Sequence, residues 1–146
     1  MSKKTIWITG GSTGIGKALA IKFASKGWNV AISARRAELL NELSNSYENI
    51  SSFPLDVTDK EKCKEVFNEI KNKYENIDIC FFSTGTWDPK KEKDIDVEQM
   101  EDVFKVNFFG TVNSIKAVEQ YFRDKKNGII TICLLYTSDA ADDRDS

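Results

Sequence analysis

The chain has 146 residues, 40% of them hydrophobic and 30% charged, a length that fits one domain comfortably and two poorly. With 8 Gly, 2 Pro and 3 Cys, collagen-like, disordered and disulfide-scaffold classes are excluded, and the absence of histidine removes the commonest metal ligand and every His-based triad. No apolar run is long enough to span a bilayer and no signal-peptide segment follows Met1, so neither a membrane anchor nor a leader is expected.

The net charge of −2 conceals an asymmetry: residues 133–146 carry four Asp and one Arg, leaving residues 1–132 at +1. A near-neutral body offers no electrostatic footprint for nucleic acid or an anionic membrane. Cys63, Cys80 and Cys133 are odd in number and widely spaced, which reads as reduced thiols and a cytoplasmic location.

In chain order, Thr5-Ile-Trp-Ile-Thr9 is a β-branched and aromatic run that ends in glycines, and it predicts a buried strand. Helix spacing starts at Ile15 and continues through Ala18, Leu19, Ala20 and Phe23, with Gly27 placed as a helix C-terminal glycine. Residues 28–33 predict a second strand, 38–43 a helix and 50–55 a third strand. From Asp59 to Tyr74 one stripe holds Cys63, Val66, Phe67, Ile70 and Tyr74, an amphipathic helix. Residues 77–83 predict a fourth strand, 90–96 a solvated charged loop, 97–122 one long helix and 128–132 a fifth strand.

Alternation of apolar strands with helices predicts an α/β fold, a Rossmann-type doubly wound parallel sheet between two helical layers. The long helix is apolar on two faces, one with Met100, Phe104, Phe108, Ile115 and Phe122, the other with Val103, Val106, Val112 and Tyr121. One face covers the sheet. The other asks for a second helix or a partner subunit.

Between the first strand and the first helix lies Thr9-Gly-Gly-Ser-Thr-Gly-Ile-Gly16. Glycines here let the chain turn tightly, approach a pyrophosphate closely and pack the helix near the strand, while the helix N-terminus turns free N–H groups toward the phosphates. The spacing Gly10-x-x-x-Gly14-x-Gly16 is neither G-x-G-x-x-G nor a Walker A loop, since Ala18 follows Lys17. The alternative is a glycine-rich turn without a ligand. Candidate cofactor residues in this loop are Gly10, Ser12, Thr13, Gly14, Ile15 and Gly16.

Folds that select NAD place an Asp or Glu about 20 residues past the glycines to hold the ribose 2′-hydroxyl. That position is Ala34 here, followed by Arg35 and Arg36. No carboxylate repels a 2′-phosphate, and two guanidinium forks are available to bind it, so NADP(H) is expected over NAD(H). Two solvated arginines capping a strand end are the plainer alternative.

These residues together resemble the short-chain dehydrogenase/reductase family over residues 3–132. Thr9-Gly10-x-x-x-Gly14-Ile15-Gly16 is similar to its cofactor loop. Asp56-Val57 resembles the family's adenine-holding pair, although Asp56 also reads as an N-cap-type residue before the next helix. Asn107, in Val106-Asn-Phe-Phe-Gly110, resembles the helix Asn that helps organise the catalytic lysine through water, and residues 128–132 resemble the fifth strand that leads to the catalytic serine. The resemblance implies the strand order 3-2-1-4-5, with later strands missing. One departure stands inside the span. The family's Asn-Asn-Ala-Gly after the fourth strand is Phe82-Ser83-Thr84-Gly85 here, so Gly85 is kept and Ser83 replaces one hydrogen bond of the lost asparagines.

The family's chemistry uses a Ser, and a Tyr followed four residues later by a Lys. Leu134 stands where that Ser is expected, the only later tyrosine is Tyr136, and Ala140 lies four residues beyond it. Residues 133–143 resemble the translation of a transposon-end sequencing adapter, so residues 133–146 are expected to be a non-native tail and the natural gene to continue past Ile132. The resemblance thus implies the cofactor-binding part (residues 1–132) of an oxidoreductase that moves hydride between NADP(H) and a carbonyl or secondary alcohol. The parent would be a homo-oligomer, and this chain would be inactive. The rival readings are a non-catalytic dinucleotide-sensing module on the same fold and a methyltransferase-like nucleoside binder, against which Arg35 and Arg36 argue.

Overall fold

The computed structural model describes residues 3–86 and 94–133. Five strands form one parallel sheet in the order β3-β2-β1-β4-β5. They are β1 (Thr5–Thr9), β2 (Asn29–Ser33), β3 (Ile50–Ser52), β4 (Ile79–Phe82) and β5 (Ile129–Ile132). The connecting helices are α1 (Gly14–Ser25), α2 (Ala37–Ser46) and α3 (Lys60–Lys73), followed by α4 (Val97–Phe104) and α5 (Gly110–Lys125) between β4 and β5. The expected doubly wound topology and strand order are those observed.

Register follows burial. β1 lies at the centre, pairing Trp7 with Ala31 of β2 and with Cys80 of β4. All five of its residues are buried. Successive side chains point to opposite faces of the sheet, so β1 feeds two cores. Ile6 and Ile8 pack with Ala20, Val30, Ile32 and Leu40 on the α1/α2 side. Trp7 packs on the other side with Val66, Phe67, Ile70, Phe82 and Val118, stacked on Phe67 with ring centroids 5.6 Å apart. The indole N–H, which needs an acceptor at this depth, donates to Ser33 Oγ at 2.9 Å.

Two sequence expectations are corrected, and one alternative is set aside. The helix expected over residues 97–122 is α4 and α5 joined by a π-helical turn, Lys105–Phe109, and it runs on to Lys125. The Gly110 N–H closes that turn on the Lys105 carbonyl, five residues back. The inserted residue rotates the following positions about the axis, so the two expected apolar stripes do not continue across it. Phe104, Phe108, Phe109 and Val112 are exposed, whereas Ile115 and Phe122 pack on the Trp7 core with Tyr121.

The third strand ends at Ser52 rather than residue 55. Phe53 and Leu55 still donate to the Ile32 and Ala34 carbonyls at 2.8 and 2.9 Å, which carries the chain on beside β2.

Finally, α3 is capped by Asp59, which accepts from the Lys62 N–H at 3.1 Å, and not by Asp56. Residues 90–93 of the expected charged loop lie outside the described residues, as do residues 134–146, which include Leu134, Tyr136 and Ala140.

Candidate dinucleotide site

In an open α/β sheet, ligands bind beyond the carboxyl ends of the strands where the order reverses, here between β1 and β4. A cleft of about 480 Å³ lies at that point. Gly10, Ser12, Thr13, Gly14, Ile15 and Gly16 line it from the β1–α1 loop, and Arg35, Arg36, Asp56 and Val57 from the ends of β2 and the β3 segment. Ser83 and Gly85 line it after β4. All twelve cofactor candidates read from the sequence therefore face one space. Ala34, Leu55, Thr84, Val106 and Cys133 complete the lining.

Sequence reasoning passed over Leu55, Thr84 and Val106 as ligand-facing residues. Each sits next to a residue it did single out, and that adjacency was the available signal. Cys133, assigned from sequence to the foreign tail, continues the β5 ladder through its N–H to Phe82 O at 3.0 Å.

The glycine spacing has a steric cause. Gly10 has φ 67°, and a Cβ there would stand 2.8 Å from the Ser83 carbonyl oxygen. Gly16 is buried, and a Cβ on it would run into the Gly10 carbonyl, so only glycine lets α1 start this close to β1. Gly14 has φ 56° and open space around it. Thr13 precedes α1 in an extended conformation without a side-chain cap bond, which leaves the first-turn N–H groups without that acceptor on the cleft side.

The electrostatics divide the cleft. Arg35 and Arg36 are exposed, and neither takes part in an ion pair among the described residues. Burial, the largest single influence on Asp56, pushes it up, and its bonds from the Thr58 N–H (3.0 Å) and hydroxyl (2.7 Å) push it down. With the charges of Arg35 and Lys105 added, the carboxyl is held below the usual carboxylate range. Asp56 is thus an ionised acceptor at neutral pH. Burial pushes the Cys63 thiol behind this wall up to about 11, so it is a neutral packing group there.

Asn107 does not line the cleft. Its Oδ1 accepts from the Thr86 N–H at 2.7 Å and its Nδ2 donates to the Thr86 carbonyl at 3.0 Å. The π-turn thereby grips the segment that carries Ser83, Thr84 and Gly85. No Tyr or Lys among the described residues lines the cleft. No helix among them is long and apolar enough to cross a membrane.

A doubly wound parallel sheet with a glycine-walled cleft at its switch point defines a nucleotide-binding α/β protein. A family model, short chain dehydrogenase, matches residues 4–140, and the chain belongs to that family. It is 33% identical over 135 residues to an uncharacterised oxidoreductase of Listeria monocytogenes, covering 89% of this chain and 54% of that protein. It is 31% identical over 134 residues to the 2,3-dihydro-2,3-dihydroxybenzoate dehydrogenase of Bacillus subtilis, covering 88% and 51%. Among solved structures, ElxO with NADP bound superposes with a TM-score of 0.81 at 29% identity, covering 90% of this chain and 55% of that one. The chain spans about half the length of these relatives.

Proposed function

We propose that the chain is the cofactor-binding part of an NADP(H)-dependent oxidoreductase acting on a carbonyl or secondary alcohol. One observation carries this reading. The glycine loop, the ionised Asp56 and the exposed Arg35 and Arg36 face a single cleft, and Ala34 stands where an NAD-selecting carboxylate would be. The residues fit such a group: Gly14 has open space where a Cβ would stand, and the uncapped start of α1 suits a pyrophosphate.

In this reading Arg35 and Arg36 bind the 2′-phosphate through charge-assisted hydrogen bonds, and Asp56 accepts from the adenine amino group. Gly85 lets the backbone pass close to the nicotinamide ribose. Asn107 holds that backbone in place through Thr86. The bound nicotinamide supplies or takes the hydride. ElxO, a relative of similar fold, has been captured with NADP, which supports the cofactor class.

Coverage of about half of each relative supports the further reading that the parent's catalytic Ser, Tyr and Lys lie outside the span this chain shares with its relatives. The exposed apolar residues Phe104, Phe108, Phe109 and Val112 support an oligomeric parent, because a patch of this kind on a monomer marks an association surface. The experiment is to supply the full-length protein with NADPH and a panel of aldehydes and ketones, and to follow loss of the reduced nicotinamide absorbance. Turnover supports the reading. Tight NADPH binding with no turnover on carbonyls, or on alcohols with NADP, contradicts it.

A further inference from the structure

The helix behind the cleft reaches the Asp56 carboxylate through a continuous series of hydrogen bonds. Asn113 Nδ2, on α5, donates to the Val57 carbonyl at 2.9 Å. That carbonyl belongs to the same peptide unit as the Thr58 N–H, which donates to Asp56 Oδ1 at 3.0 Å. The peptide between Val57 and Thr58 is thus held at both ends, by Asn113 at its oxygen and by Asp56 at its nitrogen. A second and weaker donor, Cys63 Sγ, reaches the same carbonyl at 3.6 Å.

Packing brings the helix close enough for this contact. Gly110 is buried against Val57, and any side chain there would displace the valine. Hydrogen bonds in series polarise one another, so a donor on the peptide oxygen strengthens the N–H as a donor at the other end.

We infer that Asn113 is a positioning residue for the adenine end of the cleft, acting on Asp56 through the Val57–Thr58 peptide. This rests on the proposed role of Asp56 in holding the cofactor. Asn113 contributes no atom to the cleft lining. Its effect is on where the carboxylate points and how firmly it is held. The π-turn that leads into α5 holds the opposite wall through Asn107 and Thr86, so two asparagines on either side of Gly110 fix the two walls relative to one another.

The test compares two halves of the cofactor on the full-length protein. 2′,5′-ADP probes the adenine end, and reduced nicotinamide mononucleotide the other. Asn113→Leu removes the donor at similar volume. Asn113→Asp keeps the shape and loses the donor once ionised, which carries the test where the leucine variant does not fold. Either variant is expected to weaken 2′,5′-ADP binding about 3- to 10-fold, the range for loss of one hydrogen bond, and to leave the mononucleotide unchanged. In an Asp56→Ala background the same substitution is expected to cost nothing further, the signature of action through one group.

An equal loss in both backgrounds, or no loss in the wild-type background, overturns the inference. If Asp56→Ala itself leaves 2′,5′-ADP binding intact, the underlying reading of the cleft fails instead.

Discussion

Ser83 Oγ donates a 2.7 Å hydrogen bond to the Thr9 carbonyl, tying the end of β4 to the end of β1 directly under the glycine loop. The Ser83 N–H reaches the same carbonyl at 3.3 Å. A serine can make one such bond where the family's asparagines brace the sheet on both sides of the join. Ser83→Ala is expected to destabilise the fold by about 1 kcal/mol. It should also weaken cofactor binding, since Ser83 lines the cleft. Chemical denaturation and NADPH titration of the variant measure both effects. Unchanged stability would mean the Ser83 N–H alone suffices.

Gly10, Gly14 and Gly16 are expected to rank by what a methyl group would meet. Gly16→Ala drives Cβ into the Gly10 carbonyl, a backbone atom that cannot rotate away, and overpacking of this kind costs about 3 kcal/mol. Gly10→Ala combines φ 67° with backbone of Ser83 at 2.8 Å. Gly14→Ala meets nothing and bears only the left-handed backbone cost, about 1 kcal/mol. Melting temperatures should therefore fall least for Gly14→Ala and most for Gly16→Ala. A variant at Gly14 as damaging as the one at Gly16 would contradict the steric account.

The parallel sheet was legible because each strand is a short apolar run bounded by glycines or polar residues and alternates with a helix, whereas its order was implied by the family resemblance. The cleft was legible for the same reason that it exists. Gly10 and Gly16 answer backbone constraints that no other residue meets, Gly14 takes a left-handed backbone that favours glycine, and Arg35 and Arg36 fall at the strand end next to them. The π-turn was not legible. Nothing in Lys105-Val-Asn-Phe-Phe109 departs from a helical pattern, and the extra residue shows only as a change of phase between Phe108 and Ile115. The Asn113 contact was also invisible, because a single asparagine on a helix has no pattern, and its partner Val57 lies 56 positions away.

Asp56 makes stability depend on pH in a defined direction. Its carboxyl is held below the usual carboxylate range by Thr58 and the nearby cations, against the opposing effect of burial. A group whose folded value is depressed adds stability above its unfolded value, about 4, and loses it as the pH falls through the folded value. Wild type should be more stable than Asp56→Asn at neutral pH, and the two should converge below about pH 4. Melting curves across that range are the measurement. A gap that persists at the lowest pH would show that the aspartate acts through shape alone.

The central claim is that Arg35 and Arg36, with Ala34 between them and β2, make this an NADP(H) site. Equilibrium titration of the full-length protein with NADPH and with NADH tests it most directly, repeated on an Arg35→Ala, Arg36→Ala double variant. The account predicts tighter binding of NADPH by about 10- to 150-fold, the worth of a charge-assisted phosphate contact, and loss of that preference in the double variant with NADH affinity unchanged. Equal or tighter binding of NADH by the wild-type protein would contradict it.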